Sequence, residues 1–538
     1  MRRVYLTLFG LALLSALCLS MAWAPYSWTP LIFIGLVPIL FIEHILAQHY
    51  KTYGRLFISF AYLAFTVWNT FSTHWLYFAT PPGGIAAIVL NALLMCVPLY
   101  LFYRTKKTFG HKIGYLSLPI YWLSFEYLHL NWELSWTWLN IGNGLADFVA
   151  GIQWYEYTGV LGGTLWVWCI NISIFLLLRA WIENDKTKRL KWGILSPIII
   201  IFPLIISHCI DTSIIEEEPV ETIVVQPNIE PYFEKYSGMP YHAQVARMIQ
   251  LSDSLCTPRT RLVVWPETSV LYIDMDRLER EKLIKMMRKF ISKYPQLSII
   301  SGIVGNRYYN SKKTTTAQYF RNGMCCYDEY NAAIRLDSTK EIQAYNKSKL
   351  VPLVENLPYG EVFHGLSIDL GGTVGSLGKD EKRKAFGVGN NKAAPIICYE
   401  SIYGSFVADF VKEGAELLLI LTNDSWWYNP KKTKQSKGSP LGYKQHFAYA
   451  KMRAIESRKY IARSANTGIS GFISPDGKVI SHTKYWTKDA LLATLFFSNN
   501  TTFYHEHGDY IGRISGILSI FLLLVMFVRN KTENFKHR

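Results

Sequence analysis

The sequence lacks several features that identify common classes of protein. It has eight cysteines but no C-x-x-C spacing, so neither a zinc ribbon nor a dithiol redox site is predicted, and disulfides cannot be assigned. It contains no internal repeat, which excludes a solenoid. It has no nucleic-acid-binding motif to accompany its net charge of +16. Residues 211–509 contain no apolar run long enough to cross a membrane, so this interval is predicted to be a domain in water.

The rest of the chain is unusually apolar, and 15% of all residues are aromatic. Stretches of about 18 or more apolar residues with few charges predict membrane-spanning helices. Eight candidate segments occur: Val4–Ala22, Pro30–Ala47, Leu56–Phe78, Ile85–Tyr103, Ile113–Leu130, Val160–Leu178, Trp192–Ile210 and Ile514–Val528. The sequence thus predicts a membrane domain at 1–210, a water-soluble domain at 211–509, and a last span with a short tail at 510–538.

Lysine and arginine are missing from one set of short loops. The loops at about 23–29, 79–84 and 131–159 contain none, whereas the alternate loops and both ends of the sequence carry several. Because positively charged short loops stay in the cytoplasm, both termini are predicted to be cytoplasmic and the 211–509 domain to lie outside. The first 24 residues also resemble a signal peptide, but Pro25 opposes cleavage there, and we expect a retained first span.

The 211–509 interval alternates short β-rich runs with helix-like segments, which is typical of an α/β domain. Strands are predicted at Thr222–Gln226, Arg261–Trp265, Leu297–Val304, Ala332–Asp337, Pro395–Tyr399, Leu417–Thr422, Tyr460–Ser464 and Ser470–Ser474. Helices are predicted at Tyr241–Leu255, Leu278–Lys293, Tyr403–Glu413 and Gly442–Ser457. The basic stretch Asn429–Pro440 predicts a flexible loop.

Three residues of this domain supply a carboxylate, an amine and a thiol that can act together in catalysis. Glu267 and Cys398 each follow an apolar run, and Lys347 precedes another. A carboxylate beside a thiol can take its proton and later return it to a leaving group. A lysine cation beside them lowers the thiol pKa and stabilises the oxyanion of a tetrahedral intermediate. Each residue alone is more often structural, but the ordered set predicts acyl transfer through a thioester.

These residues and their neighbours resemble the nitrilase superfamily. Trp265-Pro266-Glu267, Tyr345-Asn346-Lys347 and Ile397-Cys398-Tyr399-Glu400 are similar to its Glu-Lys-Cys signatures. With seven spans before the domain and one after it, the chain resembles the apolipoprotein N-acyltransferases, the membrane-embedded branch of that superfamily. Other matching stretches are Gln226–Ile229, Tyr330-Asn331, Thr422–Trp426, Gln445–Glu456 and Arg463–Gly468. The resemblance implies a nitrilase-like αββα sandwich inserted between transmembrane helices, seven before and one after.

The resemblance also implies roles for the residues that match. Cys398 would be the nucleophile, Glu267 the general base and Lys347 the electrostatic partner. Glu355 would support this triad, and Asn331 would help to hold the site. No metal and no organic cofactor is implied.

Four further residues are expected around the triad on the same basis. Tyr399 and Trp426 would lie beside the acyl chain, and Glu400 would order the backbone after the nucleophile. Tyr236 stands about where the family often has a tryptophan in a mobile loop near the entrance.

The chain departs from the family pattern at two positions. Lys349 stands where the family commonly has histidine, and Val354 where it commonly has glycine. Either these are neutral differences, or they change the preferred phospholipid head group, to which the charge of Lys349 would contribute.

The implied reaction is ping-pong transfer of a fatty acyl chain from a phospholipid, on family grounds phosphatidylethanolamine. The acceptor would be the α-amine of the N-terminal S-diacylglyceryl cysteine of an apolipoprotein. The resemblance places the chain in the bacterial cytoplasmic (inner) membrane, with the catalytic domain on the periplasmic side. A monomer suffices for this activity, and no nucleic acid takes part.

Several alternatives stay open at this stage. A membrane-tethered nitrilase-type amidase would use the same triad with water as acceptor and a small amide as substrate. A transporter with an inactive hydrolase domain would lack a triad member, yet all three are present. Glu126 and Glu133 either line a lipid entry path or satisfy neighbouring helices. Asn429–Pro440 either covers a bound acyl chain or stays a solvated loop, and a redox role of Cys325 and Cys326 is undecided.

Overall fold

The computed structural model describes residues 2–213, 217–319, 326–352, 354–356, 358–359, 377–430 and 437–536. Its α-helices, in chain order, are α1 (Arg2–Ala22), α2 (Val37–His49), α3 (Gly54–Thr73), α4 (Leu76–Ala79), α5 (Pro81–Phe109), α6 (His111–Asn131), α7 (Tyr155–Ile182), α8 (Lys186–Cys209), α9 (Tyr241–Asp253), α10 (Lys282–Ile291), α11 (Gly404–Lys412), α12 (Leu441–Ser457), α13 (Phe503–His507) and α14 (Tyr510–Lys536). Its strands are β1 (Pro219–Gln226), β2 (Thr260–Val264), β3 (Val270–Asp274), β4 (Ser298–Tyr309), β5 (Gln318–Tyr319), β6 (Cys326–Leu336), β7 (Gln343–Asn346), β8 (Phe386–Val388), β9 (Asn391–Ile397), β10 (Leu417–Thr422), β11 (Ile461–Ala465), β12 (Gly471–Ile473), β13 (Val479–His482) and β14 (Asp489–Phe496).

Contacts along the chain divide it into two compact units. The helical unit comprises Met1–His74, Gly84–Asp211 and His507–Arg538. Among the described residues, seven helical segments are long and apolar enough to cross a membrane, and they contain α1, α2, α3, α5, α7, α8 and α14. The eighth predicted span, Ile113–Leu130, is helical as part of α6 but is not among the seven. The apolar helices fit a membrane protein, while the count of eight spans stays a prediction.

Glu126 shows how the helical unit accommodates a carboxylate between apolar helices. Its side chain is buried and accepts hydrogen bonds from the Trp122 indole (3.0 Å), the Ile141 amide (2.7 Å) and the Thr164 hydroxyl (2.7 Å). Buried polar groups are costly unless they are hydrogen-bonded in this way. For Glu126 the contacts favour satisfaction of neighbouring segments over a lipid path, whereas Glu133 is exposed.

The α/β unit comprises Thr212–Glu506 together with a short segment from the front of the chain, Trp75–Gly83. This segment corrects the sequence prediction, since the span predicted at Leu56–Phe78 ends as helix α3 at Thr73. The apolar run gave no sign of the break, because hydropathy does not distinguish a residue that spans a membrane from one buried in the core of an α/β unit.

Trp75 accounts for the position of that segment. Its indole donates to the Gln445 side chain (3.2 Å), and its ring centroid lies 4.4 Å from that of Trp427. Gly442 faces both rings so closely that a Cβ atom there would lie 2.6 Å from Trp427 and 2.8 Å from Trp75. The segment is therefore packed as part of the α/β unit.

The first sheet of this unit has the strand order β14-β1-β2-β4-β6-β5, with β3 also paired to β4 and β7 to β6. Strands β1, β2 and β4 are parallel, and β6 runs antiparallel to β4. Apolar side chains at helical spacing on α9 and α10 pack on the sheet. The buried residues on these faces of the two helices are Val245, Met248, Ile284, Met287, Phe290 and Ile291.

The second sheet has the order β13-β12-β11-β10-β9-β8. Its centre is formed by the parallel strands β9, β10 and β11. All residues of β10 are buried, as expected for a parallel strand covered on both faces. Helices α11 and α12 contact this sheet.

The two sheets meet through their parallel strands. The Ser464 hydroxyl on β11 donates to the carbonyl of Val225 on β1 (2.8 Å), and the Asn228 amide donates to the Asn466 carbonyl (2.8 Å). With helices on both outer faces, the arrangement is helix, sheet, sheet, helix. This confirms the αββα sandwich that the sequence predicted.

Each of the eight predicted strands overlaps an observed one. The predicted end of Pro395–Tyr399 was wrong, because β9 stops at Ile397 and Cys398 begins a 3₁₀ turn. The strands that were not predicted are short or lie towards the edges: β3, β5, β7, β8, β13 and β14.

Candidate active site

The three residues of the predicted triad follow the ends of strands. Glu267 lies three residues beyond β2, Lys347 directly follows β7, and Cys398 directly follows β9. In open α/β sheets the carboxyl ends of strands form the usual crevice for ligands. The pairing of β7 with β6 fixes Lys347 further, since its amide donates to the Asn331 carbonyl (2.8 Å).

Two carboxylates share the Lys347 ammonium. Its Nζ lies 3.1 Å from Glu267 Oε1 and 2.8 Å from Glu355 Oε1. The Asn331 amide donates to the same two oxygens, at 2.7 and 3.0 Å, and the Val351 amide donates to Glu355 Oε2 (2.9 Å). Within the described part of the chain, both hydrogen bonds of the Glu267 carboxylate therefore fall on Oε1. This leaves Oε2 as the oxygen that can accept a proton.

The charges of this cluster act on one another because the side chains are buried. Burial alone lowers the pKa of Lys347, but the Glu267 and Glu355 carboxylates and Cys398 outweigh it and raise the pKa well above its usual value. Burial raises the pKa of the Cys398 thiol, Glu267 raises it further, and Lys347 opposes both effects. Burial and the neighbouring charges thus favour the protonated forms of Lys347 and of the Cys398 thiol.

Cys398 sits in a turn with an unusual backbone conformation. Its φ is 50°, in the left-handed region that non-glycine residues rarely adopt. Glu400 ties this turn to the lysine segment, since it accepts from the Ile397 amide (2.9 Å), the Ser348 amide (2.7 Å) and the Tyr345 hydroxyl (2.7 Å). Burial raises the pKa of Glu400, and these donors oppose the increase. The ordering role that the resemblance implies for Glu400 stays a prediction.

Aromatic rings stand close to one another beside these turns. The half-buried Trp426 stacks against Tyr236 with ring centroids 6.4 Å apart and meets Tyr232 edge-on at 5.5 Å. Tyr399 is buried and meets Tyr403 edge-on at 5.2 Å. The structure therefore brings Trp426 and Tyr236 together, while Tyr399 packs with a ring from its own segment.

Lys349 and Val354, which depart from the family pattern, both lie in the described structure. The Lys349 ammonium lies 4.9 Å from the centre of the Tyr403 ring. Burial lowers the pKa of Lys349, as do the nearby charges of Arg383 and Lys379. Val354 is half-buried in a turn, where its amide donates to the Val351 carbonyl (3.3 Å). Residues 431–436 of the predicted lid, and Cys325, lie outside the described residues.

A second buried cluster, to which the sequence gave no role, lies beside Cys398. His446 Nδ1 is 2.9 Å from Asp424 Oδ1, and Arg463 donates to Asp424 Oδ2 (2.5 Å). The Thr422 hydroxyl also donates to Asp424 Oδ1 (2.8 Å). Burial alone would raise the pKa of Asp424, but His446 and Arg463 lower it to about 2. Asp424 lies just after buried strand β10, and Asp424, His446 and Arg463 all fall in stretches that match the family, but neither signal gave them a role.

His446 extends this cluster to the nucleophile's turn. Its Nε2 lies 2.9 Å from the Ser401 hydroxyl and 3.3 Å from the carbonyl of Cys398. The Ser401 hydroxyl donates to the same carbonyl (2.7 Å). The turn is thus held from its second side by a residue 48 positions away in the chain.

Lys235 is another buried charge that the sequence did not single out. Its ammonium donates to the Thr268 hydroxyl (2.6 Å) and to the carbonyl of Glu267 (3.3 Å). Burial lowers the pKa of Lys235 to about 8, against the opposing effect of Glu267. It connects the segment that carries Tyr236 to the turn that carries Glu267.

One group of side chains among the described residues has ligand atoms spaced for a metal. The Cys398, Asp424 and His446 atoms all lie within 4.8 Å of one another. Both Asp424 oxygens and both His446 nitrogens already have hydrogen-bond partners, and the Arg463 cation lies against Asp424. A metal ion would have to displace these contacts next to a positive charge, so the donor set does not fit one.

The chain is similar to known proteins along most of its length. Residues 224–500, just over half of the chain, match the carbon-nitrogen hydrolase family, and residues 15–173 match the apolipoprotein N-acyltransferase N-terminal domain. The chain is 28% identical to an apolipoprotein N-acyltransferase of Chlorobaculum tepidum, over 97% of each chain. It is 24% identical to one of Thermotoga maritima, over 97% of this chain and 94% of that protein. It is also 24% identical to apolipoprotein N-acyltransferase 2 of Treponema denticola, over 89% of each. The chain therefore belongs to the carbon-nitrogen hydrolase family.

Proposed function

We propose that this chain is an apolipoprotein N-acyltransferase. The observation that carries the proposal is the ammonium of Lys347 held between Glu267 and Glu355, with the Cys398 thiol in the same electrostatic environment. Membrane-spanning helices in the same chain support a substrate that resides in the bilayer. The nearly full-length similarity to relatives with this name supports the same activity.

The first half of the reaction forms a thioester. The thiol proton of Cys398 passes to Glu267 Oε2 as Sγ attacks the ester carbonyl of a phospholipid, because the raised thiol pKa keeps that proton in place until attack. Lys347 stabilises the negative oxygen of the tetrahedral intermediate. The ester C–O bond then breaks, and Glu267 gives its proton to the departing lysophospholipid.

The second half transfers the acyl group. The α-amine of an S-diacylglyceryl cysteine attacks the thioester carbonyl, and Glu267 takes a proton from the attacking nitrogen. The C–S bond breaks and Glu267 returns the proton to Cys398 Sγ. The products are the triacylated lipoprotein and the free enzyme, so the cycle is ping-pong.

The surrounding residues have distinct proposed roles. Glu355 and Asn331 hold Lys347 and Glu267 through the shared Oε1 contacts. Glu400 orders the turn of the nucleophile.

The aromatic residues near these turns form the proposed acyl wall. Trp426 and Tyr236 stack near the entrance, and Tyr399 packs directly after the nucleophile. Apolar rings of this kind suit contact with a fatty acyl chain.

The proposed location is the bacterial cytoplasmic membrane. The sequence's basic loops put both termini in the cytoplasm and the α/β unit on the periplasmic side. The proposed donor is phosphatidylethanolamine, and the protein acts as a monomer.

The test uses the full-length protein in phosphatidylethanolamine vesicles. We expect intact mass spectrometry to detect an acyl adduct on Cys398, which is released when a synthetic S-diacylglyceryl lipopeptide is added and appears on its α-amine. Cys398→Ala should abolish both signals, whereas Cys256→Ala, a half-buried cysteine in the same unit, should keep them. An active Cys398→Ala protein would overturn the proposal, and hydrolysis of a small amide without lipopeptide acylation would favour the amidase alternative.

A further inference from the structure

We propose that His446 is a positioning residue for the nucleophile, and that Asp424 and Arg463 hold it in place. This inference rests on the proposed function only in taking Cys398 as the nucleophile. His446 acts on the backbone of Cys398, since its Nε2 lies 3.3 Å from the carbonyl of that residue.

The turn that carries Cys398 has a strained backbone. A left-handed φ at a residue with a side chain persists only where surrounding contacts hold it. The carbonyl of Cys398 has two such contacts, from Ser401 Oγ (2.7 Å) and His446 Nε2 (3.3 Å). Both partners are buried, so water does not compete for the carbonyl. Together they fix the orientation of the peptide that follows the thiol.

The imidazole of His446 is itself held by Asp424. A carboxylate only accepts hydrogen bonds, so the short contact of Asp424 Oδ1 assigns a proton to Nδ1 of His446 (2.9 Å). Nε2 faces Ser401 and the Cys398 carbonyl, and it holds that carbonyl as a donor when the ring carries a proton on each nitrogen. An imidazole whose second nitrogen is held by a carboxylate has its ring orientation set by that contact.

Arg463 pairs with the carboxylate that holds the imidazole. Asp424 is fully buried, and an isolated buried carboxylate would take up a proton and lose its hold on the imidazole. Arg463 is also fully buried and donates to Asp424 Oδ2 (2.5 Å), which keeps the carboxylate ionised. Removing either partner of such a pair would leave the other as an uncompensated buried charge, so Asp424 and Arg463 hold each other in one geometry.

The cluster also touches the thiol through Thr422. The Thr422 hydroxyl donates to Asp424 Oδ1 (2.8 Å), and Thr422 also lowers the pKa of the Cys398 thiol against the effect of burial. The same carboxylate therefore orients one group behind the carbonyl of Cys398 and another beside its sulfur.

The experiment compares two substitutions of His446 that each keep one of its contacts. In His446→Gln the longer side-chain amide can donate to the carbonyl of Cys398 from the position of Nε2. In His446→Asn the amide occupies the position of Nδ1 and keeps only the contact with Asp424. His505→Asn is the matched control, because His505 is a buried histidine in the same unit whose Nδ1 accepts from the Thr502 amide.

The first readout is the rate at which iodoacetamide alkylates Cys398 in the full-length protein, between pH 5 and pH 10. It needs no lipid substrate and thus tests the inference even if the proposed function is wrong. The second readout is kcat and KM for lipopeptide acylation. We expect His446→Asn to lower the alkylation rate and kcat by about 10²-fold with little change in KM, as a displaced nucleophile should. His446→Gln should recover most of both, and His505→Asn should match the unmodified protein.

Wild-type alkylation and turnover in His446→Asn would overturn the inference. The inference would also be overturned if both variants lost alkylation rate and kcat equally, in parallel with a fall in melting temperature. A purely structural residue would behave in this way. If His446→Asn does not fold, Ser401→Ala removes the other contact to the same carbonyl and should lower the alkylation rate in the same direction. An unchanged rate in Ser401→Ala would then count against the inference.

Discussion

Two buried charged clusters flank Cys398, and they differ in how completely their atoms are paired. In the first, Glu267 and Glu355 share one ammonium, and the hydrogen bonds of Glu267 fall on a single oxygen. In the second, both oxygens of Asp424 are occupied by donors, among them Arg463. The first cluster keeps an oxygen ready for a proton, whereas the second has none to offer. An oxygen without a hydrogen bond thus distinguishes the Glu267 carboxylate, which is proposed to react, from the Asp424 carboxylate, which is proposed to support the site.

The largest effect is expected when the unpaired oxygen is removed. In Glu267→Gln, Oε1 can still accept from Asn331 and Lys347, but the amide nitrogen cannot take a proton. We expect kcat to fall by about 10²–10⁴-fold with little change in melting temperature. Glu416→Gln is the control, since Glu416 is a buried carboxylate at the opposite end of β10 that accepts from Asn391 (2.7 Å). A Glu267→Gln protein with nearly full activity would contradict the role of the base.

A slightly smaller effect on rate, accompanied by lost stability, is expected when the shared cation is removed. Lys347→Met leaves Glu267 and Glu355 facing each other without a counter-charge. Activity should fall by about 10²–10³-fold, and the protein should lose about 3–5 kcal/mol of stability. Adding Glu355→Gln should restore the melting temperature but not the activity. Recovery of activity in the double variant would mean that Lys347 acts only by charge balance.

The second cluster should make the stability of the fold depend on pH in the acid range. Asp424 has a pKa of about 2 in the folded protein, below its ordinary value of 3.8, so its ionised form stabilises the fold above about pH 4. This contribution is about 2–3 kcal/mol and is lost as the pH falls through about 2. Asp424→Asn should therefore melt at a lower temperature than the unmodified protein at pH 7, with the difference narrowing as the pH falls from about 4 to about 2. A difference that stays constant over this range would contradict the ion pair.

The smallest effect is expected at Lys349, which belongs to neither cluster. Its ammonium lies over the Tyr403 ring, so its charge is already engaged within the protein. Lys349→His should change the ratio of phosphatidylethanolamine to phosphatidylglycerol consumption by less than about fivefold, which corresponds to about 1 kcal/mol. A larger change, measured with vesicles of each lipid, would favour a role of Lys349 in head-group preference.

The sequence predicted the residues of the first cluster better than those of the second. Glu267 and Cys398 each follow an apolar strand, and such strands are visible as continuous hydrophobic runs. His446 lies within helix α12, which is buried along nearly its whole length and has no periodic polar face to mark one residue. Its contact with the carbonyl of Cys398 depends on tertiary packing, which local patterns do not encode.

The limits of the fold prediction have a similar cause. Strand β10 was located exactly, because a buried parallel strand consists of apolar residues only. Strand β14 was missed, since most of its residues are partly exposed and its pairing with β1 joins segments far apart in the chain. The φ of 50° at Cys398 carries no sequence signal, because glycine would have been the expected residue for such a turn.

The packing of Trp75 has a consequence for how such a protein can be assembled from parts. The Trp75 ring packs against Gly442, although helix α5 and much of the helical unit lie between these two residues in the chain. A hydrolase joined to a membrane anchor by simple fusion would have no packing contact of this kind. Residues 212–506 are therefore not the whole α/β unit: cutting the chain there would remove Trp75, one of the unit's own tryptophans.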